Sequence, residues 1–239
     1  MMVLASVMLA VMTSADAIVT ILNTSNSCSK VVYEEARRIV ESEAAKGQPL
    51  QQFILAMNTD DAALAERYLA ASRERIKILA ETKNNPLAWY VLSLEDNNFT
   101  FLKRAADGGN VQALNALGSI AMMEVLGRVG ASSNEVRRVL KTSYGYFRQA
   151  ALKRDSNALI NLGACYLNGY GCQQDLHLAF QCFSGAAKLG NPEGMDNLSA
   201  AYQFGHGVKP NNELTLFWAM KARALRGDEA AEKWLKTRK

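Results

Sequence analysis

Few side chains in this 239-residue sequence are equipped for chemistry, so their spacing decides what they can do. There are two histidines, His177 and His206, and four cysteines, Cys28, Cys165, Cys172 and Cys182. A structural or catalytic metal needs three or four such ligands at short, regular spacings. Neither histidine has a Cys/His cluster beside it, so no metal site and no cofactor is expected. His206 lies between two glycines and reads as a solvated turn residue; His177 begins a helix. No Ser-x-x-Lys, Gly-x-Ser-x-Gly or Walker-type loop occurs, and Gly169-Tyr170-Gly171 lacks the third glycine and the preceding strand of a dinucleotide site. No catalytic residue is assigned. Cys165, Cys172 and Cys182 fall close together, which allows one local disulfide in an exported chain. They read equally as small buried hydrophobes, and the pairing stays open.

The elements that would position these residues repeat along the chain. Asn157 to Gly171 matches Glu193 to Gly207: Leu162 maps to Leu198, Tyr166 to Tyr202, Gly169 to Gly205 and Gly171 to Gly207, each shift being 36 residues. A third unit begins upstream, where Ala105 to Ala113 parallels Ala150 to Ala158 at a shift of 45. About nine extra residues therefore sit between Leu126 and Ser143. Leu159, Leu162 and Tyr166 share one face of a helix. Gly169 and Gly171 suit the turn that ends it, and a second helix follows from about Leu176 to Leu189, burying Ala179, Phe183, Ala186 and Ala187. Small residues at Gly163 and Ala179 would let the two helices approach. One helix pair cannot cover its own apolar face, so neighbours must stack.

The pattern Ala-x3-Leu-Gly-x2-Tyr-x2-Gly-x-Gly, followed by an aromatic position and Ala-Ala, resembles the Sel-one-like repeat, a relative of the tetratricopeptide. The resemblance covers 156–190 closely, 192–227 clearly and 97–154 with an insertion. It implies an all-α, right-handed α/α solenoid of stacked antiparallel helix pairs. This sequence departs from the pattern at Cys172, at Cys182 in an aromatic position, and at Ser199 in place of the helix glycine.

The N-terminal half is less regular. Val31–Lys46, Leu50–Met57, Asp60–Thr82 and Pro86–Leu94 read as helices separated by Gly47, Pro49, Asn58 and Asn84-Asn85-Pro86. Met1 to Ala17 carries a single charge, Asp16, and its apolar run from Val3 to Met12 leads to Ala15-Asp16-Ala17. That reads as a cleavable secretion signal, although no basic residue precedes the run. A periplasmic or secreted location, with cleavage after Ala17, is expected. The run is too short to span a bilayer as a helix, and no second apolar stretch is long enough, so no stable membrane insertion is expected. The expected organisation is a signal at 1–17, a helical region of degenerate repeats or a cap at 18–96, repeats at 97–227 and a capping helix at 228–239.

The formal charge of +4 is too modest for a nucleic-acid binder. Basic residues nevertheless cluster twice: Arg137, Arg138, Lys141, Arg148, Lys153 and Arg154, and again Lys221, Arg223, Arg226, Lys233, Lys236 and Arg238. Both clusters read first as solvated outer faces, with an acidic partner or anionic lipid as the alternative. In stacked helix pairs the first helices line the concave side. Asn157, Asn161 and Asn168, then Glu193, Asn197 and Phe204, with Gln112, Asn115 and Ser119 upstream, are the residues expected to meet a partner there. Amides beside small residues suit an extended peptide or a protein edge. The resemblance implies a non-enzymatic protein-binding scaffold of the envelope, and within that class an immunity protein that occludes a secreted toxic effector. Two other classes are implied by relatives: a β-lactam-binding or weakly β-lactam-hydrolysing protein, and a secreted host-directed adaptor.

Overall fold

The computed structural model describes residues 30–126 and 133–238. The expected secretion signal, Cys28 and the 127–132 part of the expected insertion lie outside them. Among the described residues every regular element is a helix, and no helix is long and apolar enough to cross a membrane. The chain divides into two compact units, one ending at Gly108 and one beginning at Gly109.

The first unit contains α1 (Lys30–Ala45), α2 (Pro49–Met57), α3 (Ala62–Lys83), α4 (Pro86–Asp96) and α5 (Phe99–Asp107), each packed on the next. Polar side chains set the starts. Asp61, Asn85 and Asn98 accept backbone N–H groups that the first helical turn leaves without partners. Pro49 and Pro86 stand at first-turn positions, where the missing N–H costs nothing. Val40, Phe53, Ile54, Ile76, Ala80 and Val91 are almost wholly buried. Arg73 ties α3 to α4 through Glu95 and Asp96.

The second unit contains α6 (Val111–Leu126), α7 (Ser133–Ala151), α8 (Ser156–Asn168), α9 (Leu176–Lys188), α10 (Pro192–Phe204), α11 (Asn212–Leu225) and α12 (Glu229–Lys236). Helices pair as α6–α7, α8–α9 and α10–α11, and each pair packs on the next. The nine-residue excess of the first pair is not a simple loop insertion. It lengthens the helices, α6 having 16 residues against 13 in α8, and α7 having 19 against 13 in α9.

Equivalent positions do equivalent work. Asn110, Asp155, Asn191 and Asp228 start α6, α8, α10 and α12, each side chain accepting from the backbone N–H three residues on. Gly171 and Gly207 both have φ +72°, and a side chain there would run into the backbone at Leu140 and Leu176 respectively. The helix glycine has a partner other than the expected Ala179. A Cβ on Gly163 would come within 2.5 Å of a ring carbon of Phe183, and one on Gly118 within 2.6 Å of Phe147. The missing side chain makes room for the phenyl ring of the pairing helix. In the third pair Ser199 takes the glycine position and Ala219 the phenylalanine position, so the departure from the pattern is compensated. Cys182 has the same logic: bulk sits at Phe183 in one repeat and one residue earlier, at Trp218, in the next. Successive pairs meet through aromatics, Tyr166 edge-on to Tyr144 and Tyr202 edge-on to Phe180. The first contact adds a hydroxyl–hydroxyl hydrogen bond of 3.1 Å.

Asp155 carries a testable cost. Burial raises its carboxyl above the usual value and outweighs the backbone hydrogen bonds from Ala158 and Asn157, which pull the other way. A carboxyl raised on folding stabilises fully while protonated, and that contribution is lost as pH climbs from 3.8 through the raised value. Asn110 and Asn191 fill the same capping position without a charge. The Asp155→Asn protein should therefore keep the cap and gain on the wild type as pH rises from about 4 to 7. Paired thermal melts across that range check this, and a difference that shrinks with rising pH would refute it.

Candidate binding face

The reactive side chains of the described residues do not assemble a catalytic centre. Cys165, Cys172 and Cys182 are free thiols gathered around Phe147 and Leu162 in one apolar cluster. Burial pushes the Cys165 thiol up to about 12 and Cys182 to about 11, and Cys172 rises for the same reason. Thiolate is the nucleophilic form, so these cysteines are built as packing residues. Among the described residues no three His, Cys, Asp or Glu side chains group as metal ligands. His177 touches the carbonyl of Gly207 at 3.3 Å and the amide of Gln181 at 2.9 Å, staying exposed as a link between neighbouring repeats. His206 lies against the ring of Phe204, with centroids 5.7 Å apart.

The residues expected to meet a partner do lie on the first helices, in register. Gln112, Asn157 and Glu193 occupy one level of α6, α8 and α10; Ser119, Ala164 and Ala200 a second; Met123, Asn168 and Phe204 a third. None of the nine is fully buried, and Met123 and Phe204 are 68% and 63% exposed. The amides are not all available. Asn161 donates to Asn115 Oδ1 at 2.9 Å, bridging α6 and α8. Asn157 accepts from Asn191 at 2.9 Å, bridging α8 and α10. Asn168 and Asn197 each donate to a carbonyl of their own helix, at Ala164 and Glu193. Asn115 and Asn161 therefore hold the repeats together, and the outward part of the face is Glu193, Asn197, Phe204, Asn168 and, unforeseen in the sequence, Met123. Periodicity offered a signal for Met123, because it shares a register with Phe204.

A separate feature of the first unit escaped the sequence reading. Trp89 is 3% exposed, packs on Phe101 at 5.2 Å and donates its indole N–H to Asn84. Arg104 stacks over it at 4.7 Å. Glu81, Asn84, Arg104, Asp107 and Gly108 complete an open hollow of about 470 Å³.

Stacked helix pairs with a repeated, partly apolar face define a helical-repeat scaffold for protein–protein interaction. The Sel1 repeat model matches residues 111–155, 156–191 and 192–225, so this part of the chain carries three Sel1 repeats. The chain is 34% identical over 110 residues to the chitin synthase regulator SKT5 of Saccharomyces cerevisiae, covering 45% of this chain and 16% of that one. It is 30% identical over 103 residues to the DAP3-binding cell death enhancer 1 of Rattus norvegicus, covering 43% and 18%. It thus spans under a fifth of these relatives' length. The solved structure of c5321, a protective antigen of uropathogenic Escherichia coli strains with an SLR fold, matches 84% of this chain and 45% of that one. Its TM-score of 0.53 and 21% identity speak for the fold alone.

Proposed function

We propose that this protein is a non-enzymatic scaffold of the cell envelope that holds a protein partner on the shared face of α6, α8 and α10. The observation that carries the reading is that the first helices of three successive pairs leave the same register position exposed, at Met123, Asn168 and Phe204, two of the three being large and apolar. Scattered apolar residues on a surface need no explanation, but a repeated row does. The relatives' names point the same way, one being a regulator of an enzyme and another binding a named protein. The envelope setting rests on the apolar run Val3–Met12 and the Ala15-Asp16-Ala17 end. Occlusion of a secreted toxin is the form of binding that such a setting would give, and a toxin among captured partners would identify it.

The test uses the whole chain as bait in envelope extracts, beside an Asn197→Ala/Phe204→Asn double variant. Asn161 is unsuitable because its loss would loosen the repeats. An asparagine in place of Phe204 would copy Asn168 of the preceding repeat, so folding should be unaffected. The expected result is one dominant partner whose affinity falls at least tenfold, about 1.4 kcal/mol, in the double variant. Equal capture by both proteins removes this face from consideration, and fractionation that leaves the protein in the cytosol removes the envelope.

A further inference from the structure

The two basic clusters differ in what their charges already do. In the C-terminal cluster Arg223 pairs with Asp228, Arg226 with Asp196 and Lys236 with Glu232, while Lys221 stacks on Trp218 and Arg238 on Trp234. That cluster is largely spent inside the fold. On α7 and the turn after it, none of Arg137, Arg138, Lys141, Arg148 and Arg154 meets a carboxylate among the described residues. Lys153 is engaged, donating to the carbonyl of Gly109 at 2.8 Å. The other five are exposed cations.

Three further features of the same segment are unfavourable to folding. Residues 137, 141, 145, 148 and 152 recur at helical spacing, and the Leu152 N–H still bonds to Arg148 O, so the stripe runs unbroken to Leu152. Leu152 is 77% exposed, where the equivalent residues of the neighbouring repeats are Asp107 and Lys188. Arg154 holds φ at +61°, where the equivalents are glycines: Gly109 at +80° and Gly190 at +85°. A side chain in that left-handed region is strained. Gly145 lies mid-helix, where an added Cβ would meet nothing within 4 Å, so a better helix former would fit. A bare apolar side chain, a strained arginine and an unneeded helix glycine, aligned among these cations, point to selection for something other than stability.

We infer that the outer face of α7, from Arg137 to Arg154, is a docking surface for an acidic segment of a protein partner that carries an apolar residue among its carboxylates. Arg137, Lys141, Arg148 and Arg154 meet the carboxylates, Leu152 meets the apolar residue, and Gly145 lets the partner's chain lie close to the helix. The stripe is about 22 Å long from Arg137 to Leu152 at helical rise, a length matched by four turns of helix or a short extended strand. A membrane is the poorer occupant, since one leucine is little apolar anchor for a flat surface. A single-stranded nucleic acid would want aromatic platforms, and the aromatic in this register, Tyr144, is already engaged by Tyr166. This surface shares the protein-binding reading above but none of its residues.

The experiment measures fluorescence anisotropy of labelled 15-residue probes with the full chain at physiological salt. The probes are a glutamate-rich peptide with a central leucine, the same peptide with serine for leucine, and a lysine-for-glutamate peptide. Vesicles of phosphatidylglycerol and phosphatidylcholine form a separate sedimentation arm. Wild type should bind the first probe best, the serine probe several-fold more weakly and the lysine probe not at all. Arg154→Gly should raise the melting temperature by about 2–4 °C while weakening the first probe at least threefold. Leu152→Asp should fold normally and weaken it tenfold or more. A more stable Arg154→Gly protein that binds as well as wild type overturns the inference, as does vesicle binding without peptide binding. Neither failure would alter capture through Asn197 and Phe204, so the two surfaces are judged separately.

Discussion

Replacing Asn191 with alanine should cost about 2–4 kcal/mol, because this one side chain does two jobs in a buried position. Asn191 is 2% exposed. Its Oδ1 accepts from the backbone N–H groups of Glu193 and Gly194, opening α10. Its Nδ2 donates to Ser156 Oγ at 3.0 Å and Asn157 Oδ1 at 2.9 Å, fastening α10 to the start of α8. Loss of the cap accounts for about 0.5–2 kcal/mol. Polar groups left buried without partners add about 1–3 kcal/mol. In a stack where each pair touches only its neighbours, a weakened junction also loosens cooperativity, so the denaturation curve should broaden as well as shift. Asn191→Asp separates the two jobs. It keeps the cap, as Asp155 does one repeat earlier, but exchanges the donor to α8 for a buried carboxyl, which is tolerated best while protonated. In urea melts it should cost less than alanine near pH 4 and lose that advantage as pH rises. A penalty for alanine below about 1 kcal/mol would mean that the bridge to α8 contributes nothing.

Much of the architecture is legible in the sequence because its signals are local. The starts of α4 and α10 are marked by proline beside a capping asparagine and that of α2 by proline alone, and the expected helices in 31–94 end within two residues of those observed. The 36-residue register carried the stacked pairs, since Leu162, Tyr166, Gly169 and Gly171 each have a visible twin. What stayed hidden are relations between side chains far apart in the chain. Asn115 and Asn161 lie 46 residues apart and one step out of register, so no periodic reading pairs them. Both looked like free donors for a partner, whereas they hold α6 to α8. The two basic clusters were likewise indistinguishable in sequence. Only the placement of Asp196 and Asp228 shows how far the C-terminal one is neutralised.

The helix glycine yields the second large effect, and it tests whether repeats trade volume in pairs. Gly163→Ser alone should destabilise by about 2–3 kcal/mol, because its Cβ would sit 2.5 Å from the Phe183 ring, and a buried ring cannot retreat without opening space elsewhere. Phe183→Ala alone should cost about 3–5 kcal/mol, since Phe183 is 3% exposed and its removal leaves a cavity between α8 and α9. Combined, the two substitutions should not add. Ser199 and Ala219 already form this combination in the next repeat, where the Ser199 hydroxyl donates to Thr215 O at 2.8 Å. In the double variant the serine occupies part of the vacated ring volume, and its hydroxyl faces the carbonyl of Ala179, the equivalent of Thr215. A coupling of about 1–3 kcal/mol in favour of the pair is expected from chemical denaturation of all four proteins. Strict additivity would show that the glycine and the ring are independent features of the repeat, and would undo the account of why Ser199 is tolerated. Coupling of that size would instead make each helix pair a self-consistent packing unit, able to vary its core while the register that joins it to its neighbours is kept.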